Sequence, residues 1–165
     1  MEFSIINTKN QHLDDILALN ESSQPAVSSV SINEMKKFLN FADYFKIVLI
    51  NESVAGFLIA MLPNRDYKSI NYKWFEKRYD SFLYVDRIVI KSKYRGLGIG
   101  KAFYNDLKLF ALSKTDTITC EVNIIPKNTS SMNFHKQYGF YQVGTQATEN
   151  GKKEVSLMKY KIPLA

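Results

Sequence analysis

Arg95-Gly96-Leu97-Gly98-Ile99-Gly100 lies between two segments of opposite character, and this placement decides the fold. Residues 82–90, before it, are dense in β-branched and aromatic side chains and predict a largely buried strand. Residues 101–111, after it, carry apolar side chains at helical spacing. A glycine-rich turn that leads into a helix presents unpaired backbone N–H groups and the positive end of the helix dipole, so it favours a phosphate. The sequence therefore predicts an anion site, and positions 87–105 add basic residues without any acid: Arg87, Lys91, Lys93, Arg95 and Lys101.

Two common phosphate-binding loops do not match these glycines. A Walker A loop ends in Lys followed by Ser or Thr, but Ala102 follows Lys101 and position 95 is not glycine. The dinucleotide fingerprint needs a third glycine three positions after the second, and Lys101 stands there. What remains is Arg-x-x-Gly-x-Gly, formed by Arg95, Gly98 and Gly100.

A second motif follows in residues 117–140. Residues 117–123 predict a strand, and a strand–helix–strand unit is the usual way to join parallel neighbours. Behind this strand come Asn128, Ser131, Phe134, His135, Gly139 and Phe140. In this order and separation, the two motifs resemble those of the GNAT superfamily of acyl-CoA-dependent N-acyltransferases. The residues around Asp86, Glu121 and Asn128 are similar to a bacterial subgroup of that family.

The resemblance implies an α/β fold in one domain, residues 1–165, with a central mixed sheet of about six to seven strands and about four flanking helices. Hydrophobic periodicity gives the matching order β-α-α-β-β-β-α-β-α-β-β. Ser31 and Glu34 form a capping box that opens the second helix, and Asn51-Glu52-Ser53 predicts a hairpin turn. The aromatic-rich residues 62–80 are interpreted as a long loop.

Composition narrows the function classes. A net charge of +6 favours phosphorylated or polyanionic partners, and the anion loop accounts for much of this excess. The aromatic and basic side chains of residues 62–80 come without an RNA-binding signature, which disfavours a nucleic-acid partner. One cysteine excludes an internal disulfide, and no apolar run reaches the length of a membrane span. We expect a cytoplasmic protein without a membrane partner.

The resemblance implies that acetyl-CoA is the co-substrate and that no metal takes part. In the family, the strand before the loop binds the acyl group and pantetheine through its backbone, and the loop binds the pyrophosphate. The cofactor-binding residues implied are Ile88, Val89 and Ile90 on the strand, Lys93, Arg95, Gly96, Gly98, Ile99, Gly100 and Lys101 at the loop, and Asn128, Ser131 and Phe134 in the second motif. Lys93 as a solvated lysine and Asn128 as a helix N-cap remain open.

Attack of an amine on a thioester needs a base for the amine and an acid for the leaving thiolate. His135 stands where many family members carry the tyrosine that protonates the thiolate, and imidazole, with a reference pKa of about 6.5, suits that role. A packing role for His135 is the alternative. Tyr84 and Asp86 are predicted to share one strand face with Ile88 and to point towards the acceptor. They are the other candidate catalytic residues, and Asp86 is the predicted base, with an ion pair or an ammonium ligand as the alternative.

The acceptor pocket is predicted from two regions. Glu121 and Asn123 share a face of the next strand and supply polar groups, unless Glu121 is merely an exposed strand residue. Tyr72 and Trp74 would wall the pocket, or else anchor a loop onto the sheet. The implied activity is acetyl transfer to the primary amine of a small metabolite or an amino-acid-like acceptor. A catalytically weak CoA-binding sensor, a protein N-terminal or lysine acetyltransferase, and a homodimeric state stay open.

Overall fold

The computed structural model describes residues 1–164, which form one mixed sheet with helices on both faces. Within these residues the strands are β1 (Ser4–Asn7), β2 (Tyr44–Ile50), β3 (Ser53–Met61), β4 (Leu83–Ile90), β5 (Thr117–Ile125), β6 (Tyr141–Thr148) and β7 (Lys153–Lys161). The α-helices are α1 (Leu13–Glu21), α2 (Ile32–Phe41), α3 (Ile70–Glu76), α4 (Ile99–Ala111) and α5 (Thr129–Tyr138). This architecture confirms the predicted α/β fold and the predicted order of its strands.

The sheet order β1-β2-β3-β4-β5-β7-β6 places the only parallel neighbours of the described sheet, β4 and β5, near its centre. These two strands pair only at Leu83–Ile118 and Tyr84–Thr119. β4 stays bonded to β3 on one side and β5 to β7 on the other, so each has a free edge after this point. A gap therefore opens between the two strands towards their carboxyl ends.

Two local signals act as predicted. The Ser31 hydroxyl accepts a hydrogen bond from the Glu34 N–H at 3.1 Å, and the Glu34 carboxylate accepts one from the Ser31 N–H at 3.2 Å, so the capping box opens α2. Asn51 and Glu52 have φ angles of 51° and 64° and join β2 to β3. Left-handed residues at both central positions give a turn whose twist matches that of the strands.

The interpretation of residues 62–80 as a loop is wrong for their centre, which forms α3 and adds a fifth helix to the four expected. Ser69 caps this helix by accepting a hydrogen bond from the Tyr72 N–H at 3.4 Å. Tyr72 and Phe75 lie three positions apart and are both fully buried under the sheet. Because α3 is a short helix rich in aromatic residues, burial rather than intrinsic helix propensity stabilises it.

The sheet separates two hydrophobic cores. The core on one face includes Phe103 and Leu107 of α4, and the core on the other includes Ile16 of α1 and Phe38 of α2. Helices therefore cover both faces of the sheet, and the gap between β4 and β5 opens between the two cores. None of the helices described in residues 1–164 has the length and hydropathy that a membrane crossing requires.

Candidate active site

The gap between β4 and β5 widens into a cleft of about 1330 Å³. At one end of the cleft lie the glycine loop, the start of α4 and the start of α5. At the other end lie the α1–α2 loop (residues 22–31), the segment 67–71 and the turn between β6 and β7. We refer to these as the loop end and the acceptor end.

The loop end has the geometry of a phosphate cradle. Gly96 and Gly98 have φ angles of 77° and 84°, a conformation that costs other residues strain, and Gly98 is the N-cap of α4. A Cβ atom at either glycine would meet nothing within 4 Å, so the backbone faces open space. The first turn of α4 contains no acidic residue. These features fit the pyrophosphate of acetyl-CoA, which free N–H groups at a helix N-terminus bind.

Basic residues near the loop divide into two groups. Arg95 and Lys101 line the cleft, and the Arg95 Nε donates a hydrogen bond to the Ile90 carbonyl at 3.2 Å. Lys93 is exposed outside the cleft lining, with its ammonium 5.0 Å from the Tyr94 ring centre. Arg87, which was counted with the anion site, does not belong there, because it is buried at the acceptor end and paired with an acid.

The remaining predicted cofactor residues also line the cleft. Residues 88–90 present their free backbone edge to the gap, where an extended pantetheine arm could hydrogen-bond. Asn128 caps α5 by accepting a hydrogen bond from the Ser131 N–H at 3.2 Å, so the N-cap role is present. The Phe134 ring packs against Gly100, where an added Cβ would lie 2.8 Å from it. Phe134 thus joins α5 to the start of α4.

A β-bulge at Asp86 changes which side chains share a face of β4. Val85 pairs with Ala60 and Arg87 with Ile59, so Asp86 is the extra residue. Tyr84 packs in the hydrophobic core on the sheet face covered by α1, α2 and α3 (the α1–α3 core). Ile88 packs against the core on the opposite face, covered by α4 and α5 (the α4–α5 core). The predicted alternation is therefore wrong for Ile88, while Tyr84 and Asp86 both point towards the acceptor end.

Asp86 is held in an ion pair. One carboxylate oxygen accepts a hydrogen bond from the Arg87 Nε at 2.6 Å, and the other accepts one from the Tyr67 hydroxyl. Burial, together with this carboxylate, raises the pKa of Tyr67 well above its usual value, so the hydroxyl keeps its proton. With both oxygens engaged, Asp86 matches the ion-pair alternative better than the base role.

Glu121 is a second carboxylate near Asp86, and uncharged donors hold it in place. The Tyr84 hydroxyl lies within 2.8 Å and 2.7 Å of its two oxygens. Gln146 donates a hydrogen bond to the Asn71 carbonyl oxygen at 2.8 Å, which orients the Asn71 amide to donate to Glu121. Burial, and next the negative charge of Asp86, raise the pKa of Glu121 to about 8. A general base acts best when its pKa lies near the working pH.

Two of these residues, Tyr67 and Asn71, are absent from the sequence-based site. Both belong to the segment that was interpreted as a loop. A cap at Ser69 would have placed Asn71 in the first turn of a helix, where its side chain can face the strands. No sequence signal pairs Tyr67 with Asp86, which lies nineteen positions away.

Neither aromatic residue that was predicted to wall the acceptor pocket lines the cleft. The Tyr72 hydroxyl donates to the Leu62 carbonyl at 2.6 Å and accepts from the Arg65 N–H at 3.0 Å. Trp74 packs on Gly144 under the Arg78 guanidinium, which lies 3.8 Å from its ring centre. Both residues anchor the segment onto the sheet, which was the alternative interpretation.

Asn123 and Cys120 lie on opposite faces of β5. Cys120 is buried with the α4–α5 core. Asn123 lines the cleft and is 7% exposed, but its amide donates to the Pro25 carbonyl at 2.9 Å. Asn123 therefore holds the α1–α2 loop instead of offering a free amide to an acceptor.

His135 is 3% exposed and has both ring nitrogens engaged. Its Nδ1 lies 2.8 Å from the Ser131 carbonyl, which can only accept, so Nδ1 carries the proton. Nε2 then accepts a hydrogen bond from the Tyr104 hydroxyl at 2.8 Å. Burial lowers the pKa of His135 to about 4, which leaves it neutral at pH 7. This arrangement favours the packing alternative over the acid role that was expected for His135.

The neutral state of His135 makes stability depend on pH. Because its folded pKa is depressed to about 4, protonation opposes folding once the pH falls below the unfolded value of 6.5. We expect His135 to remove about 3 kcal/mol of the free energy of unfolding between pH 7 and pH 4. Urea titrations of the wild type and His135→Gln at both pH values measure this, and equal losses in the two proteins would contradict it.

No group of three His, Cys, Asp or Glu side chains that could hold a metal ion was found in the part of the chain that the structure covers. That no metal takes part stays a prediction.

Comparison with known proteins agrees with this geometry. The model of the acetyltransferase (GNAT) family matches residues 13–140. The ribosomal-protein-S18-alanine N-acetyltransferase from Escherichia coli superimposes with a TM-score of 0.72 at 15% identity, over 99% of this chain and 96% of that one. NAA60 from Arabidopsis thaliana in complex with acetyl-CoA gives a TM-score of 0.77 at 15% identity, over 98% of this chain and 100% of that one. No curated protein matches the chain at a significant level.

The family match covers both motifs and every element from α1 to α5. The solved structures share the fold over nearly their whole length. The chain therefore belongs to the GNAT family of acetyl-CoA-dependent N-acetyltransferases.

Proposed function

We propose that the protein transfers the acetyl group of acetyl-CoA to the primary amine of a small metabolite or an amino-acid-like acceptor, with Glu121 as the general base. The observation that carries this proposal is the position of Glu121. It lies where β4 and β5 separate, it is oriented by Tyr84 and Asn71, and its pKa is raised to about 8.

Acetyl-CoA would lie in the gap, with its pyrophosphate on the glycine loop and its pantetheine arm along residues 88–90. The amine nitrogen attacks the thioester carbonyl carbon, and Glu121 takes the proton that the nitrogen loses. The tetrahedral intermediate then collapses, which breaks the carbon–sulfur bond and releases the CoA thiolate. Because the only proton on the His135 ring faces the α5 backbone, the thiolate takes its proton from water in the cleft.

The Asp86–Arg87 ion pair leaves little net charge beside Glu121. Its charges cancel, and the pKa of Glu121 leaves this side chain largely protonated at pH 7. Tyr67, Ser69 and Asn71 add uncharged hydrogen-bonding groups to the acceptor end, and Glu149 and Lys153 beside the turn between β6 and β7 add one acidic and one basic side chain.

A protein N-terminus is the second candidate acceptor. The Escherichia coli protein named above is a ribosomal-protein-S18-alanine N-acetyltransferase. A further structure of NAA60 from Arabidopsis thaliana contains a bisubstrate analogue. A peptide N-terminus would enter the acceptor end between the α1–α2 loop and the turn between β6 and β7, both of which line the cleft. A cytoplasmic location and a homodimer stay predictions.

Thermal unfolding with acetyl-CoA, CoA or ATP, followed by thiol release with a panel of amines, tests the proposal. At one hundred times its Kd, acetyl-CoA should add about 2.7 kcal/mol of stability, whereas ATP should add little. Thiol release with small amines would support the first acceptor class, and release with peptide N-termini alone would support the second. Stabilisation without release from any amine would favour the CoA-binding sensor, and no stabilisation would contradict the cofactor site.

A further inference from the structure

Arg87, which follows the bulge residue Asp86, is a buried cation whose side chain donates four hydrogen bonds. Its guanidinium donates to Asp86 at 2.6 Å, to the Asn20 side chain at 2.9 Å, and to the Ser28 carbonyl and hydroxyl at 3.0 Å and 3.2 Å. Only 6% of Arg87 is exposed. Burying an ion pair stabilises a fold less than hydrophobic packing of similar volume does. Its contacts therefore point to a role in placing the segment that it holds, the α1–α2 loop.

The same loop is held from the opposite side of the gap. Asn123 of β5 donates to the Pro25 carbonyl, while Arg87 of β4 holds Ser28 three positions later. The two residues lie on strands that have already separated at this level. The α1–α2 loop therefore spans the gap between β4 and β5, fixed on one strand at each side.

The loop is also closed on itself by internal hydrogen bonds. Glu21 accepts hydrogen bonds from the Ser29 hydroxyl at 2.5 Å and from the Val30 N–H at 3.2 Å. Asn20, which is fully buried, donates to the Ser28 carbonyl at 3.1 Å. Residues 25–28 of this closed loop line the cleft together with Asp86 and Glu121.

We infer that Arg87 and Asn123 are positioning residues, which clamp the α1–α2 loop across the acceptor end and keep bulk water from the acetyl group. This inference rests on the proposed function. The clamp holds the loop beside Glu121, so an amine that fills the space between them attacks the thioester and is acetylated in preference to solvent. Without the clamp, water reaches the thioester carbonyl, and Glu121 assists its attack. The products are then acetate and the CoA thiol.

Two variants remove the clamp from opposite sides. Asn123→Leu keeps the side-chain size and loses the bond to Pro25, and Arg87→Met loses the bonds to Ser28. Arg87→Met leaves the buried Asp86 carboxylate without its ion-pair partner and risks unfolding the protein. Asn123→Leu leaves no buried charge unpaired, so it can be tested even if Arg87→Met does not fold. Asn133→Leu, the same change at an exposed position of α5, is the matched control.

The measurements are amide hydrogen exchange of residues 22–31 and thiol release from acetyl-CoA without any amine. Loss of one hydrogen bond raises the equilibrium constant for local opening by about fivefold. We therefore expect the amide exchange rates in the loop to rise by about that factor. We expect amine-free thiol release to rise about as much, while stabilisation by acetyl-CoA stays at the wild-type level. Asn133→Leu should change neither rate.

A lower Tm with unchanged thiol release would mean that the two residues serve stability alone, and it would overturn the inference. Unchanged exchange in the loop would also overturn it. Failure of the proposed function looks different, because acetyl-CoA would then not stabilise even the wild type. The exchange measurement reports on the clamp in either case.

Discussion

Replacement of Glu121 by Gln is expected to lower kcat/KM for the amine by about two to four orders of magnitude, the usual contribution of a general base. The amide keeps the shape and can still accept a hydrogen bond from Tyr84, but it cannot take a proton from the attacking nitrogen. Thiol release measures the loss, and thermal unfolding with acetyl-CoA checks that the cofactor site is intact.

The pH dependence of the wild type follows from the same residue. Because the pKa of Glu121 is about 8, the active carboxylate forms as the pH rises, and kcat/KM should reach half its maximum near pH 8. The charges that act on Glu121 are those of Asp86 and Arg87, and the neighbouring Tyr84 and Tyr67 stay protonated. Asp86→Asn removes the negative charge that raises this pKa, so it should move the midpoint to lower pH.

The matched control is Glu149→Gln. Glu149 is an exposed carboxylate at the same acceptor end of the cleft, and none of the bonds described above orients it. We expect this variant to keep nearly the wild-type kcat/KM. Equal activity of Glu121→Gln and the wild type would exclude Glu121 as the base.

Replacement of Gly98 by Ala is expected to weaken acetyl-CoA binding by about ten- to one hundredfold, the loss of one hydrogen bond to a charged group. The new methyl group would enter the open space above the glycine loop, where the pyrophosphate is placed. Thermal unfolding over a range of acetyl-CoA concentrations gives the affinity.

Strain alone must be separated from this effect, because Ala at a φ of 84° costs about 1–2 kcal/mol in stability. Gly151→Ala is the control, since Gly151 has a φ of 83°, equally open surroundings and a position in the turn between β6 and β7. Both variants should lose stability, but only Gly98→Ala should lose affinity. Similar affinities in the two variants would contradict the pyrophosphate assignment.

The sequence predicted the parts of the fold that local residues specify. The capping box at Ser31, the hairpin at Asn51-Glu52 and the glycine turn before α4 each depend on residues within a few positions of one another. The loop end of the cleft is built from two such local motifs, and the residues predicted to bind the cofactor line the cleft, except Lys93. That they bind acetyl-CoA stays a prediction.

The acceptor end was predicted less well, because long-range contacts build it. Asp86 was expected to be the base, yet the bulge and the buried Arg87 tie up its carboxylate. Tyr72 and Trp74 were expected in the pocket, yet both belong to α3, which packs their side chains against the sheet. These outcomes depend on partners that lie far away in the chain.

By itself, the sequence determined the family, the order of the strands and the glycine turn before α4, since each follows from residue types at short, fixed spacings. Only the tertiary structure decided the surroundings of the two candidate carboxylates, Asp86 and Glu121. Asp86 and Glu121 carry the same functional group, and what distinguishes them is the set of groups packed around each. Arg87 neutralises the first, whereas burial and the charge of Asp86 raise the pKa of the second.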